Sequence, residues 1–488
     1  MQAHNSWRLK RNTLLSLMLG LILFWPPANA AGRVWLRASD QFLGQGEFRR
    51  AEEALSLAEA AGATSEALQL RRAWLLLAEN RLQEAGDAFR SLTRGPTLAQ
   101  AWVGLGDAAL RQGDLTQAIS WWRAAQPLQP EDASVWSRLG WAELARGRFW
   151  EAQIALEQAW ELGGHECRVS YGLAALLAFE SPDKATAWLA EPCAENRRSE
   201  GWTWWPALSP GQARPDLLRQ SLEELRGFED PLQRAAVLGR VCTRLGLHSL
   251  AERAWLTVLA QRPKWGAAWA YLGYSRAAQG KDSLEELKCA TSLDPGSPEA
   301  WYFLGRWYAQ NGLPHAATDA FRKGLELDPH NAGLMVELAY ALAGQGNYPG
   351  AEETLQAAAG LAAQDAPLQR AIARFYLEHL IAVQERGLPT AELAVRLAPD
   401  DPEGHDLLGW AAWLTGAPET AQEELALALQ RDPQLPAAWY HQAVIQAALG
   451  RVMAAREAYM RAIVLDPRGY YGARAAKALR EMQSQSGR

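Results

Sequence analysis

Metal binding, acid–base catalysis and nucleophilic attack each need particular side chains at particular spacings. The histidines are scattered: His4, His165, His248, His315, His330, His379, His405 and His441. None belongs to an H-E-x-x-H motif or another i, i+4 set that would put two ring nitrogens on one helix face. The chain has no Gly-Lys-Ser/Thr phosphate loop and no G-x-S-x-G elbow. Gly104-Leu105-Gly106 is a fragment of a dinucleotide loop, but no strand precedes it, and close helix packing accounts for it. Glu52-Glu53 and Glu285-Glu286 read as solvated helix faces. No nucleophile, base and orienting group can be assembled. The sequence therefore predicts a protein that is not an enzyme, with no catalytic residues, no metal site and no cofactor.

The residues that remain as chemistry are aromatic rings and arginines, and the elements that place them must come first. Residues 298–331 read PEAWYFLGRWYAQNGLPHAATDAFRKGLELDPHN. With Pro298 as position 1, Trp301 is 4, Leu304 is 7, Gly305 is 8, Tyr308 is 11, Gly312 is 15, Ala317 is 20, Phe321 is 24 and Pro329 is 32. Apolar spacings of 3, 4 and 7 describe a helix face, a turn, and a second helix face. Small residues at 8 and 20 let two helices approach closely. Gly312 suits the left-handed position after the first helix, and Pro329 stops the second.

This stretch resembles the tetratricopeptide repeat (TPR), whose 34-residue signature is W-x2-L-G-x2-Y, then A-x3-F, then P. The pattern recurs from units beginning near Gly32 and Glu66, then at Ala99 and Ala133. It lapses after a degenerate helix pair at 168–179 and 183–190. Residues 191–214 are rich in Pro, Gly, Ser and Arg and carry Trp202, Trp204 and Trp205, read either as a plug or as a recognition loop. Pro215 to Phe228 reads as one helix. The period restarts at Leu232 and runs through units at Gly266, Pro298, Ala332, Leu368 (irregular, ending at Pro399), Pro402 and Pro436. Glycine recurs at position 15 and alanine at position 20 in nine units each. The resemblance implies an all-α fold: a right-handed α-solenoid of about 11–12 helix-turn-helix units in two blocks, with a polar C-terminal capping helix. The expected divisions are 1–30, a signal peptide; 32–190, an N-terminal block; 191–231, an irregular insertion; 232–469, a C-terminal block; and 470–488, cap and tail.

In this family, positions 2, 5, 9, 12 and 13 of the first helix face the concave side. Position 9 here holds Trp74, Trp141, Tyr274, Tyr340, Tyr376 and Trp410, with Arg240 and Arg306 among them. Position 5 adds Tyr302 and Tyr440, and position 12 adds Trp413. An aromatic and arginine lining suits an extended peptide, or a glycan stacked on ring faces; packing between neighbouring helices is the competing role for each ring. The Lys and Asn set with which some TPR proteins clamp a C-terminal carboxylate is missing, so that activity is not carried over.

The N-terminus carries Arg8, Lys10 and Arg11, an apolar run from Leu14 to Trp25, and Ala28-Asn29-Ala30 before Ala31. That is the layout of a cleaved secretory signal, the alternative being an N-terminal membrane anchor. Export permits disulfides. Cys167 and Cys193 flank the degenerate helix pair, and an antiparallel hairpin brings its ends together. A bridge is one reading and a free thiol at each site the other; Cys242 and Cys289 fall mid-helix, as packed thiols. Formal net charge is −6 and no basic tract stands out, so nucleic acid is not an expected partner. The expected protein is an exported interaction scaffold, periplasmic or extracellular, with no stable membrane insertion after cleavage, binding a protein or peptide in its groove. The alternatives are a TPR component of envelope polysaccharide synthesis or export contacting a glycan or its synthase, and an enzyme centred on 191–231. That segment offers no histidine and only scattered acids and arginines.

Overall fold

The structure, a computed structural model, describes residues 29–44, 46–190, 215–228, 230–466 and 469–486. Residues 1–28 of the segment 1–30 expected to be a signal peptide, and Cys193, Trp202, Trp204 and Trp205, lie outside them. Among the described residues everything is helix or turn, without a strand. Helical hairpins follow one another in chain order, which is the α-solenoid arrangement. By internal contact the chain divides between Pro130 and Glu131 into two compact units.

The first unit contains hairpins α1–α2 (Asn29–Gly44, Phe48–Ala60), α3–α4 (Ser65–Ala78, Leu82–Ser91) and α5–α6 (Leu98–Gln112, Leu115–Ala125). Phe89 and Trp122 fill its core as position-24 residues, fully buried. The Trp122 ring lies where a side chain on Gly106 would stand.

The second unit opens with α7–α8 (Ala133–Ala145, Phe149–Glu161) and α9–α10 (Cys167–Leu177, Pro182–Ala190). α11 (Pro215–Leu225) is the single helix expected within the 191–231 insertion, where the sequence carried it on to Phe228. It packs on α10, and Arg219 Nη2 donates to the Leu189 carbonyl at 2.7 Å. Next come α12–α13 (Pro231–Arg244, His248–Gln261). Here Ser249 donates to the Leu144 carbonyl at 2.7 Å, and the Arg253 guanidinium lies over Phe149 and Phe179.

Hairpins α14–α15 (Gly266–Ala277, Leu284–Leu293), α16–α17 (Pro298–Gln310, Pro314–Leu327) and α18–α19 (Ala332–Gly344, Tyr348–Leu361) follow. Then come α20–α21 (Ala366–His379, Leu388–Leu397), α22–α23 (Pro402–Leu414, Pro418–Arg431), α24–α25 (Pro436–Ala448, Val452–Leu465) and the final α26 (Tyr470–Ser486).

Local chemistry sets these boundaries. Ser297, Asn331, Asp365 and Asp401 cap first helices, each accepting a backbone N–H of the first turn. The position-15 glycines (Gly46, Gly113, Gly147, Gly246, Gly280, Gly312, Gly346, Gly416 and Gly450) all have φ between 67° and 97°, conformations an L side chain rarely adopts. Position-4 tryptophans bind the chain to the preceding repeat. Trp269, Trp301 and Trp439 donate their indole N–H to the carbonyls of Pro263, Pro295 and Pro433 at 2.8, 3.0 and 2.8 Å.

Candidate functional site

First helices of successive repeats pack side by side in the second unit: α12 on α14, α14 on α16, α16 on α18, α18 on α20, α20 on α22, and α22 on α24. In the tetratricopeptide repeat arrangement the face these helices share is the inner one, and the position-9 residues form a row along it.

The irregular unit corrects one member of that row. Its first helix begins at Ala366, capped by Asp365, not at Leu368. Two extra residues sit in the turn, where Leu380 and Ala382 take positive φ (53° and 43°) in the place of the usual glycine. Position 9 is therefore Arg374. Tyr376 is a position-11 core residue, only 2% exposed. Trp141 is corrected too: it is 5% exposed and stacked on Tyr171, with centroids 6.3 Å apart. Its ring packs between neighbouring first helices and lines no open surface.

The corrected row reads Arg240, Tyr274, Arg306, Tyr340, Arg374, Trp410, alternating guanidinium and ring. Arg240 is exposed and the other five are half-buried. Tyr274 packs on His248 and Phe303. Arg306 Nη1 donates to the Tyr302 hydroxyl at 3.2 Å, and that hydroxyl donates to Glu337 at 3.5 Å. Burial opposes the Arg306 charge, but Tyr302 and Glu337 outweigh it and hold the guanidinium protonated. Tyr340 donates to Glu378 at 3.3 Å; burial, reinforced by that carboxylate, pushes its phenol well above its usual range. Arg374 donates to Glu403 at 2.8 Å. Trp410 stacks on His441 at 4.6 Å and 12°. Trp413 is half-buried against the core of its own hairpin.

Two histidine–carboxylate pairs escaped the sequence reading. His441 Nδ1 meets Asp406 Oδ1 at 2.8 Å with both groups buried. The two lie 35 residues apart, close to one repeat period, and that offset is the signal that could have found them. His405 occupies position 4 of its repeat. Its Nε2 reaches the Pro399 carbonyl at 2.8 Å, the bond that tryptophan makes elsewhere, and its Nδ1 meets Glu424. It is thus a structural substitute for tryptophan. Cys167 is disulfide-bonded, while Cys242 and Cys289 are free. Burial pushes the Cys242 thiol up to about 12, which keeps it protonated and inert. Among the described residues no group of three or more potential metal ligands comes together, and no helix is long and apolar enough to cross a membrane.

Fold and inner face together define an all-α repeat protein built to present an extended surface. Tetratricopeptide repeat models match residues 308–375 and, separately, 92–133, 281–332 and 407–470. The chain thus carries tetratricopeptide repeats over those residues, and proteins built of such repeats bind protein partners. No curated protein matches the sequence. Among solved structures it is similar to yeast Tom70, at 14% identity and a TM-score of 0.42, covering 86% of this chain and 96% of that one. It is similar to the APC/C hetero-tetramer Cut9-Hcn1, at 13% identity and 0.41, covering 95% and 98%. A third is pilF of Pseudomonas aeruginosa, at 18% identity and 0.34, covering 46% of this chain and 99% of that chain.

Proposed function

We propose that this chain is an exported, non-catalytic scaffold of the cell envelope, which holds a protein or peptide along the inner face of its first helices from Gly266 to Leu414. The observation that carries the reading is the alternation of Tyr274, Arg306, Tyr340, Arg374 and Trp410 at equivalent, half-buried positions. Rings supply rigid contact area, and guanidinium groups supply directed hydrogen bonds to backbone carbonyls or carboxylates. Two members are the best handles. Arg306 donates to a neutral tyrosine hydroxyl, and Trp410 stacks on a neighbouring repeat. Changing Arg306→Ala and Trp410→Ala should weaken partner capture from envelope extract by about 2 kcal/mol each, roughly thirtyfold in Kd. Capture is compared below the melting transition of each variant, followed by circular dichroism, because Trp410 also packs on its neighbouring repeat and its removal lowers stability. Unaltered capture by a normally folded variant overturns the reading.

Export rests on the charged, apolar and A-x-A segments of residues 1–30. Protein purified from its native compartment should begin at Ala31, and non-reducing peptide mapping should join Cys167 to Cys193. An intact Met1, or two alkylatable thiols at those cysteines, defeats the corresponding half.

A further inference from the structure

Across the opening turns of α16, α18 and α20 lies a depression of about 560 Å³. Leu334, Val336 and Leu368 form an apolar wall. Around it stand four carboxylates, Glu299, Asp328, Glu337 and Asp365, and no Lys, Arg or His belongs to the lining. The hydrogen bonds of these carboxylates come from neutral donors. Ser297 donates to Glu299 at 3.1 Å and Asn331 to Asp328 at 3.0 Å. Tyr302 donates to Glu337 at 3.5 Å, and the Leu368 backbone N–H to Asp365 at 2.9 Å. Elsewhere on the same unit, partly buried carboxylates hold cations directly: Glu252 binds Arg276 and Lys281, and Glu403 binds Arg370 and Arg374. Of the four, Glu337 also lies in the field of Arg306, linked to it through the Tyr302 hydroxyl; Glu299, Asp328 and Asp365 have only these neutral donors.

We infer that this depression receives a basic segment of the partner protein, a lysine- or arginine-bearing stretch of extended chain. A lysine lays its methylenes on Leu334, Val336 and Leu368 and brings its ammonium among the four carboxylates. An acidic segment meets like charge at four of the polar lining residues and is disfavoured. This rests on the scaffold reading and adds the partner's chemistry to it.

Fluorescence anisotropy with the full exported chain tests it, using a labelled peptide of alternating lysine and alanine and the same peptide with glutamate for lysine. The lysine peptide should bind, weaken as salt is raised, and outcompete the glutamate peptide. Glu299→Gln with Glu337→Gln keeps side-chain shape and should lower its affinity roughly tenfold. Equal binding of the two peptides, or unchanged affinity in the folded double variant, overturns the proposal. Should that variant fail to fold, the peptide comparison and salt dependence of the unaltered chain decide. Native partner captured equally well by the unaltered chain and by the glutamine variant removes the depression and leaves the scaffold standing. Capture indifferent to Arg306→Ala and Trp410→Ala removes the scaffold instead, and lysine-peptide binding then stands or falls on its own.

Discussion

Replacing Phe321 by alanine lowers stability by about 3–5 kcal/mol, the range for deleting a fully buried phenylalanine. The ring has no exposed surface and belongs to a core shared by α17, α18, α19 and α20. It also explains Gly305. A Cβ added there would lie 2.5 Å from the Phe321 ring edge, well inside contact distance. The glycine of α16 and the phenylalanine of α17 are thus one packing unit, and they predict a coupling as well as a cost. Gly305→Ala alone should destabilise by overpacking, by about 1–3 kcal/mol. With Phe321→Ala the new methyl enters vacated space, so the double variant is less destabilised than the sum. Denaturant unfolding measures all three. Amide exchange locates the effect: a repeat touches mainly its neighbours, so exchange should quicken in residues 298–361 and stay unchanged in 29–130. Strict additivity, or a loss for Phe321→Ala well below the expected range, would refute the paired packing.

That pairing was legible in the sequence because it recurs. A small residue at position 8 and a large one at 24 appear as Gly239 with Trp255 and Gly409 with Leu425, each large side chain within reach of the Cβ its glycine lacks. The glycine turn was legible for the same reason. Even its exceptions fit: Asn80 takes φ 57° at position 15 of the second repeat, and asparagine tolerates that region better than most residues. What failed was register where the repeat length changes. Counting back from Pro399 put Tyr376 on the inner face and hid Arg374, since a two-residue insertion in a turn leaves no mark in the apolar pattern of either helix. Trp141 failed for another reason. Position in a repeat fixes which way a ring starts out; what it meets is set by the next helix, here Tyr171 of α9. Partners one repeat apart, such as Tyr340 with Glu378, follow the same rule. Two residues on one stripe can be seen in sequence, but which acid reaches which base depends on side-chain length and helix stagger.

The His441–Asp406 pair is where that stacking has the most at stake. Both groups are buried, 4% and 2% exposed, and the 2.8 Å contact joins α24 to α22. In isolation a histidine oriented by a carboxylate is half of a nucleophilic triad. The rings on His441 are those of Trp410, Tyr440 and Tyr471, which offer no serine, cysteine or threonine for it to activate. The pair reads instead as a fastener that holds the Trp410 ring flat on its neighbour. Asp406→Ala leaves a buried imidazole nitrogen without its partner and should cost about 3–5 kcal/mol, the range for breaking a buried pair from one side. Asp406→Asn keeps the volume and one acceptor oxygen and should cost clearly less. Equal costs for the two variants would show that the retained hydrogen bond contributes nothing. The functional consequence separates the fastener from an isolated stabiliser. If His441 fixes Trp410, Asp406→Ala should weaken partner capture at temperatures where the fold is intact, in the same direction as Trp410→Ala, and adding the Trp410 change to it should produce little further loss. Independent, additive effects on capture would show that the ring needs no such support.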